Sequence, residues 1–172
     1  MPILVTCIWI IVAREAGIPI EGVGLPGHFI ARVGEGEGQL VDPFSDGRPL
    51  TPEVCKALVK RLSNGELAWS DDFLDTTSTP DIAARVLRNL QICHERAQDE
   101  MERYRAARMA AKLFPERPVF QALHAQAAEA LDALPLAMTL YQDIIERFKG
   151  EEVARFAFKR MEALADDTPL IH

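Results

Sequence analysis

The residues with the clearest chemistry in this sequence are a histidine and an aspartate fourteen positions apart. In GHFIARVGEGEGQLVDPF, residues 27–44, His28 and Asp42 stand at matching places in the two arms of an expected β-hairpin, turned by the glycines of VGEGEG. A turn centred on Glu35 pairs His28 with Asp42, Ile30 with Leu40 and Arg32 with Gly38. Opposed side chains on one face of a sheet have Cβ atoms about 4.5–5.5 Å apart, near enough for an imidazole–carboxylate hydrogen bond. The apolar Ile30/Leu40 pair opposes a one-residue slip, which would put the two groups on opposite faces. A carboxylate so placed fixes the imidazole tautomer and stabilises its protonated form. The other ring nitrogen then takes a proton from a thiol or hydroxyl. The competing interpretation is structural: Asp42 caps the Asp-Pro-Phe turn, and His28 is a half-buried strand residue satisfied by it.

Other chemistry is sparse. Cys7, Cys55 and Cys93 are far apart, with no CxxC, and an odd count fits no disulfide framework, so a reducing cytoplasmic setting is expected. The four histidines are scattered, and adjacent Cys93 and His94 point about 100° apart on a helix. No metal site and no cofactor are expected. A net charge of −7 supplies no field for phosphates, which excludes general nucleic-acid binding. Arg105, Arg108 and Lys112, at helical spacing, read as a solvated helix face.

The elements that must position the pair begin with PILVTCIWIIVA. It lacks a basic leader, is too short to span a bilayer and runs into Arg14-Glu15, so no membrane role is expected. Residues 2–16 read as a helix ended by Gly17 and Pro19. Being apolar on nearly every side, it is expected to be buried under other elements. Its place at the start suggests that residues of the complete fold precede it; left uncovered, it would drive the chain to at least a dimer.

Residues 20–44 hold two or three short strands, SDGRPL reads as a turn, and Thr51-Pro52-Glu53 opens a helix running to about Leu62. Glu21, Arg32 and Arg48 could line a small groove near the hairpin or be ordinary surface charges, the latter being preferred. Residues 66–80 form a linker whose Trp69, Phe73 and Leu74 should lie against a surface. Helices are expected at about 81–97, 99–114, 118–133, 135–148 and 151–165. Ala107/Tyr141, Ala110/Ile144, Ala111/Ile145 and Phe114/Phe148 recur at 34 residues, the period of the tetratricopeptide repeat. The motif is degenerate, without the usual Trp and Gly.

The run AREAGIPIEGVGLPGHFIARV, then LVDPF and GRPLTPEVC, resembles the transglutaminase-like domain of a bacterial family. That family joins the domain to a tetratricopeptide segment and includes relatives of an invasion regulator of enteric bacteria. The resemblance extends over essentially the whole chain, and it implies a further helical segment before the first helix. In the wider transglutaminase-like and papain-like superfamily, a cysteine at the start of a buried helix precedes a strand histidine and an aspartate. The resemblance maps the last two onto His28 and Asp42, and places the cysteine at Pro2 or Ile3, neither a nucleophile. Cys7 lies more than one helical turn further on, about 6 Å along the axis, away from the helix N-terminus that would lower its pKa. It reads as a core residue and a weak nucleophile candidate; Thr6 is weaker still.

The expected fold is α+β: residues 1–65 as a partial transglutaminase-like core, 66–80 as a packed linker, and 81–172 as tetratricopeptide-like repeats with a capping helix. The favoured function is a non-catalytic, regulatory binding or scaffold module with a vestigial His28–Asp42 pair. It would contact a protein or peptide through its helices and self-associate. The alternative is a cysteine-dependent amide hydrolase or acyltransferase with His28 as base, Asp42 as its orienter, and a nucleophile from Cys7 or from upstream.

Overall fold

A computed structural model describes residues 1–166; residues 167–172, the end of the expected helical segment, lie outside the described residues. The chain divides into two units, Met1–Val86 and a second from Leu87 onward.

In the first unit α1 (Pro2–Glu15) leads into β1 (Ile20–Val23), β2 (Ile30–Val33), β3 (Gln39–Asp42), a 3-10 turn at Pro43–Ser45 and β4 (Arg48–Leu50), then α2 (Pro52–Leu62). The strands form one antiparallel meander in chain order. SDGRPL is therefore more than the turn expected from sequence. Asp46 and Gly47, both at positive φ, reverse the chain so tightly that Arg48–Leu50 returns as an edge strand. Pro49 is tolerated there because an edge position need not donate to a ladder.

Strand alternation sorts the core into two layers. Ile20, Ala31 and Val41 face one side with Phe29 and meet Ile3 and Ile10 of α1. Val23, Ile30, Leu40 and Leu50 face the other and meet Cys55 and Val59 of α2. Each fully buried branched side chain stabilises by about 1.5–3 kcal/mol. Trp69, Phe73 and Leu74, from the expected linker, pack on the α2 side. Arg32 is no ordinary surface charge: it is half-buried, and its Nη2 donates to Leu74 O at 2.6 Å.

The first helix departs from the expectation of burial on every side. Only the stripe Ile3, Thr6 and Ile10 is buried, whereas Ile8, Ile11 and Val12 are 59–62% exposed. The sheet offers α1 one face, and among the described residues nothing covers the outward side. Gly17 (φ 72°) closes the helix with Gly17 N–H donating to Arg14 O and Ile18 N–H to Ala13 O, the Schellman pattern. At α2 the expected cap forms, Val54 N–H donating to Thr51 Oγ1.

Helix α3 (Thr79–Arg96) is followed by α4 (Glu100–Leu113), α5 (Pro118–Ala130), α6 (Leu134–Arg147) and α7 (Glu152–Asp166). The helix boundaries themselves repeat: Glu100 and Leu134, Leu113 and Arg147, and Pro118 and Glu152 are each 34 positions apart. Ala107 and Tyr141, equivalent in this period, are both fully buried. The small residue on α4 and the large one on α6 occupy the same place in successive helical pairs. No helix among the described residues is long and apolar enough to cross a membrane.

Candidate functional site

His28 Nε2 lies 2.9 Å from Asp42 Oδ2, with side chains 11% and 9% exposed. The pair forms, but not by the expected register. Ala31 faces Val41, Arg32 faces Leu40 and Val33 faces Gln39, so the arms are offset by two residues from the pairing read in the sequence. An offset of two preserves the face on which each side chain lies, whereas an offset of one would have separated the pair. His28 lies before the start of β2, and its ring reaches Asp42, the last residue of β3.

Asp42 makes both contacts of the structural interpretation, the turn cap and the bond to His28. Its Oδ1 accepts from Phe44 N–H at 3.0 Å and its Oδ2 from Ser45 Oγ at 2.9 Å, capping the 3-10 turn, while Oδ2 also holds His28. With Nε2 donating to the carboxylate, a neutral ring carries its lone pair on Nδ1. Nδ1 makes no hydrogen bond among the described residues. Phe44, largely exposed, stands edge-on to the imidazole at 6.5 Å.

The cysteines stand differently. Cys7 is half-buried on α1 against the cluster of Ile3, Ile10 and Phe29, and burial pushes its thiol pKa up. No hydrogen bond joins Cys7 to His28 among the described residues. Thr6, the weaker alternative, is fully buried with Oγ1 3.1 Å from Phe29 O, so its hydroxyl braces α1 against the sheet. Cys55 escaped the sequence reading as a neighbour of the site. Fully buried on α2, its thiol is raised by burial and then by the carboxylates of Asp42 and Glu53. Cys93 lies exposed on α3, in the second unit. Among the described residues no cluster of His, Cys, Asp and Glu is arranged to hold a metal ion.

Sequence reasoning also missed Arg85. Its Nη2 donates to Leu25 O and to His28 O, both at 2.7 Å. Partners 60 and 57 residues away leave no local pattern.

Comparison with known proteins places this arrangement. The chain is 37% identical over 123 residues to a UPF0162 protein of Xylella fastidiosa, covering 68% of this chain and 43% of that protein. A UPF0162 protein of Pseudomonas aeruginosa is 29% identical over 161 residues, 88% of this chain and 58% of the relative. The chain thus spans about half the length of these curated relatives. F-box only protein 21 of Mus musculus is 34% identical over 68 residues, covering 34% of this chain and 11% of that protein. No solved structure matches. The profile of the transglutaminase-like superfamily matches residues 1–88, the stretch that builds the sheet, both flanking helices and the His28–Asp42 pair. With half of its length matched and the histidine before β2 hydrogen-bonded to the aspartate that ends β3, the chain belongs to the transglutaminase-like superfamily.

Proposed function

We propose that this chain is a non-catalytic transglutaminase-like module, acting as a binding or scaffold component for a protein partner. The observation that carries this reading is the pairing of an Asp42-held imidazole with no sulfur in hydrogen-bonding reach among the described residues. The thiol on α1 is raised by burial rather than lowered, opposite to what activates a cysteine nucleophile. Helix boundaries repeating at 34 residues support a tetratricopeptide-type segment, whose stacked helices supply a protein-contact surface. The exposed outer face of α1 supports self-association. Light scattering of the Ile11→Lys, Val12→Lys double variant should shift toward monomer relative to the native chain, and an unchanged profile contradicts it.

The second reading, a cysteine-dependent amide hydrolase or acyltransferase, draws support from the orientation of His28. Nε2 is engaged by Asp42 and Nδ1 is left free, as a base serving a nucleophile requires. Iodoacetamide labelling at neutral pH, followed cysteine by cysteine by mass spectrometry, separates the two. The module is expected to show Cys7 and Cys55 reacting slowly. A fast Cys7 that becomes slow in His28→Ala establishes the enzyme reading instead.

A further inference from the structure

His28 is the member of the pair that the sheet does not hold. Asp42 sits in the ladder opposite Arg48, whereas β2 begins only at Ile30, so no ladder bond fixes residue 28. The backbone of His28 instead ends a turn closed by its N–H donating to Leu25 O at 3.1 Å. Pro26 and Gly27, the latter at φ 77°, fill the two central places of a type II turn. Leu25 is anchored in the core beside α2 and Leu62 packs against Gly27, while the His28 carbonyl at the end of the turn takes its support from outside.

Arg85 supplies that support from α3. One guanidinium nitrogen donates to the carbonyls at both ends of the turn, Leu25 O and His28 O, each at 2.7 Å. The guanidinium lies over the Phe29 ring at 5.3 Å, which fixes its plane beside the residue following His28. Gly24 makes the approach possible: a Cβ there would stand 2.8 Å from Thr77 Oγ1 and 3.1 Å from Arg85 Nη1. Burial lowers the Arg85 pKa, and the two carbonyl acceptors compensate the buried donors.

We propose that Arg85 is a positioning residue for His28, clamping the Leu25–His28 turn so that the imidazole meets Asp42. Arg85 holds the ring whether the site binds or catalyses, so thiol labelling and the test below fail separately.

The test is nitrogen-15 NMR of the histidine-labelled full chain. In the native chain the Nε2 proton donated to Asp42 should give a downfield, slowly exchanging signal, assigned by its loss in His28→Gln. Arg85→Met removes both hydrogen bonds and should abolish the signal while far-UV circular dichroism keeps its native shape. Gly24→Ala crowds Thr77 Oγ1 and Arg85 Nη1 without changing charge and should weaken the signal. Arg85→Lys, which can bridge the two carbonyls with one ammonium, should retain the signal in part. An unchanged signal in folded Arg85→Met overturns the assignment. So does a signal lost only in step with global melting, or absent from the native chain.

Discussion

The two units of this chain are tied together in different ways. In the first, side-chain hydrogen bonds join residues 14, 23, 42 and 60 positions apart: His28 to Asp42, Thr6 to Phe29, Arg32 to Leu74 and Arg85 to Leu25. In the second, Gln121 to Ala111, Tyr141 to Glu129, Arg160 to Glu129 and Arg147 to Pro115 join residues 10, 12, 31 and 32 apart. Those distances fall within one 34-residue period. The helical unit is built by each pair of helices meeting the next, and the sheet unit by distant segments converging on one turn and one strand end. The His28–Asp42 pair, which needs two groups in fixed relation, is found in the sheet unit.

The helical unit breaks most severely at its largest buried side chain. Tyr141 is fully buried on α6, its hydroxyl donating to Glu129 on α5 at 2.8 Å, and Glu129 also pairs with Arg160 on α7. Tyr141→Ala opens a cavity and removes the donor between three helices. An expected loss of about 3–5 kcal/mol is read by urea denaturation. Loss below about 1 kcal/mol would mean that Glu129 and Arg160 hold the helices without it.

Asp42→Ala is the matching cut in the sheet unit. It leaves His28 Nε2, Ser45 Oγ and Phe44 N–H without their acceptor, costing about 1–3 kcal/mol and removing the cap of the 3-10 turn. Asp42→Asn, which keeps one acceptor oxygen, should recover part of that loss in the same denaturation experiment.

A pH dependence distinguishes the helical unit further. His124 on α5 has a buried Nε2 without a hydrogen-bond partner and stacks at 5.3 Å on Tyr104 of α4. Its pKa is lowered from 6.5, by burial first and then by Arg108 and Lys112. Well above pH 6.5 the ring is neutral in both folded and unfolded chains and contributes no difference. Below it the unfolded chain takes up a proton that the folded chain resists, so stability falls with pH until the depressed folded pKa is passed. Denaturation midpoints between pH 7 and 5 should fall less steeply in His124→Gln. Equal slopes would place no titration at this ring.

The smallest effect is expected at the surface. Asp143→Asn breaks the exposed i,i+4 pair with Arg147 but leaves Arg147 bonded to Pro115 O, and should cost only about 0.3–0.5 kcal/mol. A larger loss would mean that the ion pair, rather than the carbonyl, sets the position of Arg147.

The same contrast explains what was legible in the sequence. Helices α3 to α7 lie within a few residues of their expected bounds because prolines and Gly150 mark their ends and the period repeats. In the hairpin, parity was legible and register was not: alternation fixes which face a residue takes, whereas glycines spread over VGEGEG permit turns differing by two residues. The strand Arg48–Leu50 was hidden because Asp46-Gly47 and a proline read as punctuation. Exposure of α1 was hidden because hydropathy reports what a face prefers, not whether a neighbour exists. Arg85 and Cys55 approach the site only through tertiary folding, which no local pattern encodes.

The central claim is that the Asp42-held imidazole has no activated thiol as its partner. Ultraviolet thiolate absorbance, titrated in the native chain and in His28→Ala, measures this directly. The expected result is no equivalent of thiolate from Cys7 or Cys55 at neutral pH and superimposable curves in the two chains, since burial raises the pKa of both. One equivalent of thiolate already present below pH 7, and lost in His28→Ala, would contradict it.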